Sequence, residues 1–599
     1  MKKIVSLLLA TSMTLALLTA CSSGSSSTSS ETSSTSSTSS SSEATTAETT
    51  TETGDNIFKW ATATNPSNVC PYENYTEAID YIQGKLYRYI PSESGETVSL
   101  VPDLAIGEPT TEDGYTWIIS IDPNAKWANG EAITADTFMY SWEMALDPVL
   151  LNPAASGLAK NIITVENAYE YYTQESTGVE VAWEDVGFKK IDDYTLSVTA
   201  TDLHSSLEVQ QHFQMRHTGP VYEELFEAGM DAGRTSTNYG TEAEYHMSSG
   251  PYILDSWTKD TELIYVKNEN YAHADEITLD GMITRIVSDE ATQLQLYQNG
   301  DVDFITLGSN GYDLYSEDPA TIAYSTSTVR EIEFNFENPD KPYLNNLNFR
   351  KAMYYAIDRE TIGKLTNYVP ACYFIPTSYS TSADGTSFRD LPEAQEYIPD
   401  NYGYDPELAL YYFDLALEET GVDSVSLNLI YNEAVSATRV ASESIQSSLT
   451  NLFGADRFEM SITAMNNSEA VSLMRTAQNG PTNGWDLCWG GWSLTAAEYS
   501  ANKKFEVYTT YDTRRFTNYP NTEIDELFAL STTAEYRMDL EKMTDVVLQM
   551  EESFLNDVDS LPVFQQVSWY RFSDRVVLPS NNKYLSFIGF ANAYISIEN

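Results

Sequence analysis

The sequence is poor in cysteine, histidine and basic residues. Its 599 residues include four cysteines, five histidines and 33 lysines plus arginines, against 88 aspartates plus glutamates, for a formal net charge of -55. Contacts to phosphate need clustered Lys and Arg, so this balance excludes nucleic acid as a partner. No CxxC spacing is present, so no zinc site or other resident metal is predicted. The few cysteines also argue against a fold held together by disulfides.

Signatures of catalysis are absent as well. The sequence has no GxxxxGK[ST] phosphate loop, no GxGxxG, no HExxH and no GxSxG elbow. His212 and His217 are five residues apart, which does not align them on a helix face, so we predict solvated or core histidines. The many acids supply accidental carboxylate pairs, and none stands out as hydrolytic. We predict a binding protein that is not an enzyme and uses no cofactor, with a secreted hydrolase as the remote alternative.

The first 55 residues predict the compartment. Lys2 and Lys3 precede an apolar stretch of fifteen residues, 4–18, and small residues lead to Cys21, a pattern that resembles a bacterial lipoprotein signal. The resemblance implies cleavage of residues 1–20, lipid attachment to Cys21 and a place on the outer face of a bacterial cell membrane. The alternatives are a membrane-spanning anchor, for which the apolar run is short, and an ordinary cleaved signal.

A Ser/Thr-rich segment follows the cysteine. Residues 22–53 contain 25 serines or threonines among 32 residues, a composition that cannot bury a core. We predict that residues 21–55 form a disordered tether with a root-mean-square span of ~30 Å. An inert surface stalk is the alternative interpretation.

The remaining chain predicts a mixed α/β fold. Hydrophobic residues make up 42% and aromatic residues 12% of the sequence, which is typical of globular proteins, and the length suggests about three domains or lobes. Alternation of β-branched and aromatic residues predicts strands at 115–121, 194–200, 250–254, 262–267, 302–305 and 425–431. Periodicity and capping residues predict helices at 134–146, 289–299, 350–357, 405–419, 434–452, 524–530 and 535–554.

Several motifs occur in a fixed order along this region. Residues 84–88 read GKLYR, 101–105 VPDLA, 122–136 DPNAKWANGEAITAD, 249–252 SGPY, 295–303 QLYQNGDVD, 349–359 FRKAMYYAIDR and 404–409 YDPELA. Together with Trp485 and Trp492, this ordered set resembles the extracytoplasmic solute-binding proteins of ABC importers, specifically the oligopeptide-binding lipoproteins, over residues 57–599.

The resemblance implies a two-lobed, hinged fold like that of periplasmic binding proteins, with an extra domain on lobe I. Carried over by position, lobe I spans residues 56–92, 214–327 and 568–599, the extra domain 93–213 and lobe II 328–567. The chain crossings near 327 and 567 form the expected hinge. The motif at residues 122–136, extended by Phe138 and Trp142, is the most specific of the set and falls in the extra domain. Trp127, Phe138 and Trp142 are expected to pack a core there. Arg350, Asp358 and Arg359 are expected to be structural charges at helix ends.

The ligand site is also implied by the resemblance. In the family, an extended peptide lies between short strand edges of the two lobes and is held by backbone hydrogen bonds. Matched by position, the implied ligand-binding residues are Glu73, Asn74, Tyr75 and Thr76 in lobe I and Trp489, Gly491, Trp492, Ser493 and Thr495 in lobe II. Gly490 and Gly491 allow close backbone approach. Trp489 and Trp492 are implied to wall the cavity or to stack on ligand, and core packing of both is the alternative.

One position departs from the family pattern. Peptide binders of this family carry an aspartate shortly after the tryptophan, and it pairs with the α-amino group of the ligand, whereas this chain has Thr495. Glu498 or Glu333 is a possible substitute, or the ligand has no free amino terminus.

The implied function is capture of peptides by a monomeric, lipid-anchored protein that delivers them to the permease and ATPase of an ABC importer. The alternatives are the same fold binding an oligosaccharide, an opine or a metal complex, and a surface adhesin or sensor.

Overall fold

A computed structural model describes residues 56–73, 76–91, 98–377, 379, 381, 386–491, 502–578 and 596–597. Strands and helices alternate through these ranges, which confirms the predicted mixed α/β class. Within them, no helix combines the length and the apolar character needed to cross a membrane. Cys21, the signal and the tether lie outside the described residues.

The strands vary from two to fourteen residues in length. They are β1 (Ile57–Thr62), β2 (Tyr87–Pro91), β3 (Val98–Pro102), β4 (Thr110–Thr111), β5 (Thr116–Ser120), β6 (Phe188–Asp192), β7 (Thr195–Thr199), β8 (Tyr252–Thr258), β9 (Glu262–Lys267), β10 (Gly281–Ile286), β11 (Phe304–Thr306), β12 (Thr321–Phe334), β13 (Val369–Pro370), β14 (Val425–Asn432), β15 (Phe458–Met465), β16 (Leu487–Gly490), β17 (Ser560–Phe572), β18 (Val576–Val577) and β19 (Ser596–Ile597).

The α-helices are longest in the second half of the chain. They are α1 (Ala78–Ile82), α2 (Ala135–Leu146), α3 (Ala155–Ala159), α4 (Ala168–Thr177), α5 (Ser206–Phe213), α6 (Glu223–Ala228), α7 (Glu290–Asn299), α8 (Ser309–Tyr315), α9 (Leu347–Ala356), α10 (Arg359–Thr366), α11 (Pro392–Gln395), α12 (Pro406–Thr420), α13 (Ser436–Phe453), α14 (Asn467–Met474), α15 (Lys503–Glu506), α16 (Glu523–Ser531), α17 (Ala534–Arg537) and α18 (Leu540–Asp557).

One large sheet contains eleven of the described strands. Its strand order is β15-β14-β16-β12-β17-β11-β1-β10-β9-β8, with β13 paired to β17. The two long strands β12 and β17 are antiparallel neighbours at its centre, and their register shifts between Ser325 and Val329. The predicted hinge crossings near residues 327 and 567 fall on these two strands, and a hinge motion there stays a prediction.

A second, four-stranded sheet has the order β4-β5-β7-β6 and packs against α2. Phe138 and Trp142 of α2 are fully buried, and the Trp142 indole N–H donates a hydrogen bond to the carbonyl of Thr218 at 2.9 Å. Trp127 is 3% exposed, beside a tight turn at Gly130, whose φ is +89°. These contacts confirm the packing role expected for the most specific motif.

Three main hydrophobic cores organise the packing. One joins residues between 70 and 239, another joins β1 and β8–β11 to the end of β17, and the largest contains only residues between 332 and 564. The domain boundaries expected from the resemblance stay predictions.

The charged residues at the ends of α9 and α10 hold backbone groups together. Arg350 is 4% exposed and donates to the carbonyl of Asp557 at 2.8 Å, and the buried Arg359 donates to the carbonyl of Pro562 at 2.7 Å. The Asp358 side chain accepts from the Thr361 amide at 3.0 Å and caps α10. The structural role predicted for these charges is confirmed.

One predicted helix is wrong in extent. Residues 535–554 were expected to form a single helix, but α17 ends at Arg537 and α18 begins at Leu540. The Asp539 side chain accepts a hydrogen bond from the Lys542 amide at 3.2 Å, so it serves as an N-cap and starts a new helix.

Candidate ligand-binding site

The expected lobe II edge lies at the end of strand β16, between β14 and β12. Gly491 has a φ of +140°, and a Cβ atom added there would lie 2.9 Å from the carbonyl oxygen of Val329. A Cβ atom on Gly490 would lie 2.8 Å from Cγ of Glu333. These two glycines therefore permit close packing of β16 on the protein's own strand β12.

Trp489 lies in the core beneath this edge. Its side chain is buried, its indole N–H donates to the Ser442 hydroxyl at 2.7 Å, and its ring centroid is 5.4 Å from that of Phe564. This is the core packing that the sequence left open as the alternative, and a ligand contact by Trp489 stays a prediction. Trp492, Ser493, Thr495 and Glu498 lie outside the described residues.

The expected lobe I edge is described at its two ends. The half-buried Glu73 accepts a hydrogen bond from the Asn68 side-chain amide at 2.7 Å, and burial raises the pKa of its carboxyl. Thr76 is buried, and its carbonyl accepts from the Ile79 amide at 3.2 Å. Asn74 and Tyr75 lie outside the described residues, and ligand contacts by these four residues stay predictions.

Glu333 lies in a buried polar cluster below the lobe II edge. It is 0% exposed on strand β12, and the Tyr519 hydroxyl donates to its carboxylate at 2.8 Å. Burial, followed by repulsion from Glu331, raises the pKa of Glu333 well above its ordinary value. A fully buried carboxyl is poorly suited to capture a cationic ligand group, although its contact with ligand stays a prediction.

Three residues near Glu333 were not singled out in the sequence: Glu331, Tyr508 and Lys504. Glu331 is fully buried and accepts from the Tyr508 hydroxyl at 2.7 Å, and burial raises its pKa. Lys504 is 1% exposed, and burial lowers the pKa of its ammonium to about 8. Glu331 and Glu333 are two residues apart on one strand, so both side chains point to the same face of the sheet. In the sequence, an i,i+2 spacing indicates two acids on one face of a strand. Only the fold shows that this face is covered by other parts of the protein.

A small pocket borders the lobe I edge. It has a volume of about 110 Å3 and is lined by residues that include Trp60, Thr76, Glu77, Leu263, Tyr265 and Thr284. We call it the Glu77 pocket. Trp60 pairs with Thr284 across β1 and β10, and Thr284 pairs with Leu263 across β10 and β9, so these three side chains come from neighbouring strands.

Glu77 is the charged residue of this pocket, and the sequence did not mark it. It is half-buried, and burial raises the pKa of its carboxyl to about 7, with Arg216 opposing the rise and Asp80 adding to it. Arg216 donates from Nε to Asp80 at 2.7 Å, and Lys85 also contacts Asp80 at 2.8 Å. Both neighbouring bases are therefore engaged by Asp80.

In the described ranges, no arrangement of side chains supports a metal-binding or redox role. No group of three or more His, Cys, Asp or Glu side chains there could hold a metal ion. His212 and His217 are buried, and burial lowers their pKa values to about 3 and about 4. Cys70, Cys372 and Cys488 are buried and free of disulfides.

The chain is similar to extracellular solute-binding proteins over most of its length. The model of the family described as "Bacterial extracellular solute-binding proteins, family 5 Middle" matches residues 99–505. The "Dipeptide-binding protein" of Lactococcus lactis subsp. cremoris is 23% identical over 477 residues, which cover 76% of this chain and 80% of that protein. The "Dipeptide-binding protein DppE" of Bacillus subtilis is 25% identical over 474 residues, covering 77% and 78%.

A solved structure shows the same fold. MppA, a periplasmic murein tripeptide binding protein in its unliganded open form, aligns with a TM-score of 0.72 at 16% identity, covering 90% of this chain and 97% of that chain. The predicted two-lobed α/β fold is thereby confirmed. The match to a family of solute-binding proteins confirms both the resemblance read from the motifs and the prediction of a protein that is not an enzyme.

Proposed function

The chain belongs to family 5 of the bacterial extracellular solute-binding proteins, and we propose that it captures peptides between two closing lobes and delivers them to an ABC importer. The observation that carries this proposal is the family match over residues 99–505, together with relatives that are described as dipeptide-binding proteins. The matched range includes β12 and β16, the strands that form the expected lobe II edge.

Backbone pairing is the binding mode that this edge favours. β16 ends at Gly490, and its pairing with β14 reaches only Leu487 and Cys488, so within the described residues the last two residues of β16 pair with β12 alone. An extended peptide pairs through main-chain N–H and C=O groups, which every peptide carries whatever its side chains. A protein that binds in this way accepts many peptide sequences.

The proposal includes an anchor and a partner. Lipid attached to Cys21 would hold the protein on the outer face of the bacterial cell membrane, and residues 21–55 would let the monomeric binding body reach a permease with its ATPase. The lipoprotein-like signal and the Ser/Thr-rich composition support this part of the proposal.

Native mass spectrometry of the full chain, purified from its bacterial host in mild detergent, tests the proposal. We expect a series of bound masses that differ by amino-acid residues, because backbone pairing accepts mixed sequences. The intact mass should also begin at Cys21 and include a lipid. One bound mass that corresponds to a non-peptide solute would contradict peptide capture, and an unmodified Cys21 would contradict the anchor.

A further inference from the structure

The Glu77 pocket contains a buried hydroxyl whose bonding is incomplete. Thr284 is 3% exposed and lines the pocket, and its hydroxyl makes no hydrogen bond of normal geometry within the described part of the chain, although the nearby Tyr265 hydroxyl interacts with it. A buried hydroxyl without a partner costs free energy, and proteins retain such groups where a ligand or water completes them. The hydroxyl therefore marks a place for a polar guest.

The pocket also offers a charge. Within the described residues, no hydrogen bond or ion pair to the Glu77 carboxyl is found: Arg216 and Lys85 both bind Asp80, although Arg216 lies near enough to lower the pKa of Glu77. A half-buried carboxylate without a direct partner attracts a cation more strongly than an exposed one, because water screens it less.

The aromatic walls and the volume of the Glu77 pocket limit which kind of cation it can receive. Trp60 and Tyr265 line the pocket, and aromatic rings attract ammonium groups through their negative faces. On the same measure of volume a water molecule needs about 10–15 Å3, so a pocket of about 110 Å3 has room for an ammonium group and its first carbon atoms. A planar guanidinium head group is wider than an ammonium, and an anion would be repelled by Glu77.

We propose that the Glu77 pocket receives a primary ammonium group of the bound peptide, with the Glu77 carboxylate as its counter-ion and the Thr284 hydroxyl as an acceptor. This inference rests on the proposed capture of peptides. The ammonium is either the α-amino terminus or a lysine side chain, since both have the same charge and donors. The position of Thr76 in both the pocket and the expected lobe I edge brings this anchor to the end of a bound strand. The anionic partner thus lies in lobe I, whereas the lobe II position that the family pattern reserves for an acid is Thr495.

Binding of matched peptides tests the proposal. The probes are pools of tri- to penta-alanine with free amino termini, the same pools N-acetylated, and N-acetylated pools with one lysine or one norleucine. Dissociation constants are measured by calorimetry on the full chain in detergent. We expect the wild-type protein to prefer one ammonium-bearing pool about ten- to a hundredfold over its neutral counterpart. The pool that shows the preference identifies which ammonium enters the pocket.

Two variants and a control separate recognition from structure. Glu77→Gln should abolish that preference while leaving the affinity for the neutral pool unchanged. Thr284→Val, which is nearly isosteric, should reduce the preference several-fold without lowering the melting temperature, because the hydroxyl it removes makes no hydrogen bond of normal geometry within the described residues. Glu418→Gln, at an exposed position of α12, should behave like wild type.

Each contrary result has a distinct meaning. If Glu77→Gln weakened the binding of charged and neutral pools equally, the proposal would be overturned. A wild-type protein that bound both pools with the same affinity would also overturn it. In that second case peptide capture would stand. A wild-type protein that binds none of the pools would overturn the ammonium site and peptide capture together.

Discussion

Asp559, the residue before strand β17, is a buried acid with an unusual charge state. It is 0% exposed, and neither carboxylate oxygen has a hydrogen bond of normal geometry within the described residues. Burial raises the pKa of this carboxyl from 3.8 to about 7, although the nearby Arg350 opposes the rise. Between about pH 4 and 7 the folded protein therefore binds a proton that the unfolded chain has lost, so Asp559 lowers stability increasingly as the pH rises.

Asp559→Asn should raise the free energy of unfolding at pH 8 by roughly 1–3 kcal/mol, because the amide has no charge to bury. At pH 4 the variant should match wild type, since both side chains are then neutral. Urea denaturation at the two pH values measures the difference. The exposed Asp423→Asn is the control and should change neither value. Equal stabilisation at both pH values would contradict the explanation by charge.

The candidate site shows which residue-level features can be predicted from sequence. The glycines at 490–491 could be identified because a glycine next to a strand indicates close packing whatever the partner. The direction of the Trp489 ring could not, because an indole fits a core and a ligand wall equally well. Glu77 was missed because its half-burial arises from Tyr265 and Thr284, nearly two hundred residues away in the chain.

At the scale of elements, locally capped helices were predicted and the central strands were not. α7 begins where Asp289 accepts from the Thr292 amide at 2.8 Å and ends at Gly300, whose φ is +78°, and both signals lie within the segment itself. β12 and β17 were overlooked because both contain polar residues at buried positions, and β17 includes Pro562 as well. Their polar groups are satisfied only by distant partners, as where the Pro562 carbonyl accepts from Arg359.

Gly491→Ala tests the close packing of β16 on β12. The new methyl group would lie 2.9 Å from the Val329 carbonyl oxygen at a φ of +140°, so we expect the free energy of unfolding to fall by about 1–3 kcal/mol. Gly421→Ala is the matched control: its φ is +69°, but no atom within 4 Å of the added Cβ is found in the described structure. Its loss should be about 1 kcal/mol. Equal losses in urea denaturation would show that the carbonyl contact is unimportant.

The whole molecule carries far more negative charge than its bases can neutralise. With 88 acids and 33 lysines and arginines, most carboxylates have no basic partner available. Ion pairs such as Lys190 with Asp136, at 2.7 Å, and Arg234 with Glu227, also at 2.7 Å, neutralise some of these acids. Repulsion among the remaining acids opposes the compact state and weakens as salt screens it.

We expect the melting temperature at pH 7.5 to rise by about 2–5 °C when sodium chloride increases from 20 to 300 mM. Near pH 4.2, the pI calculated from the sequence, the same increase should leave the melting temperature almost unchanged, because net repulsion is then small. Scanning calorimetry of the full chain at the two pH values provides the comparison. A melting temperature that falls with salt at pH 7.5 would indicate that attractive ion pairs outweigh repulsion.

The pairing of β12 with β17 has a consequence for how this protein can vary. Glu333 lies opposite Ser560, so the chain leaves the β12–β17 pair and returns to it at neighbouring positions after more than two hundred residues, which include β13 to β16 of the same sheet. A segment whose two ends meet can change length in its surface loops without moving the two strands that frame it. The segment between β12 and β17 and the part of the chain that contains the Glu77 pocket can therefore diverge at different rates within one gene.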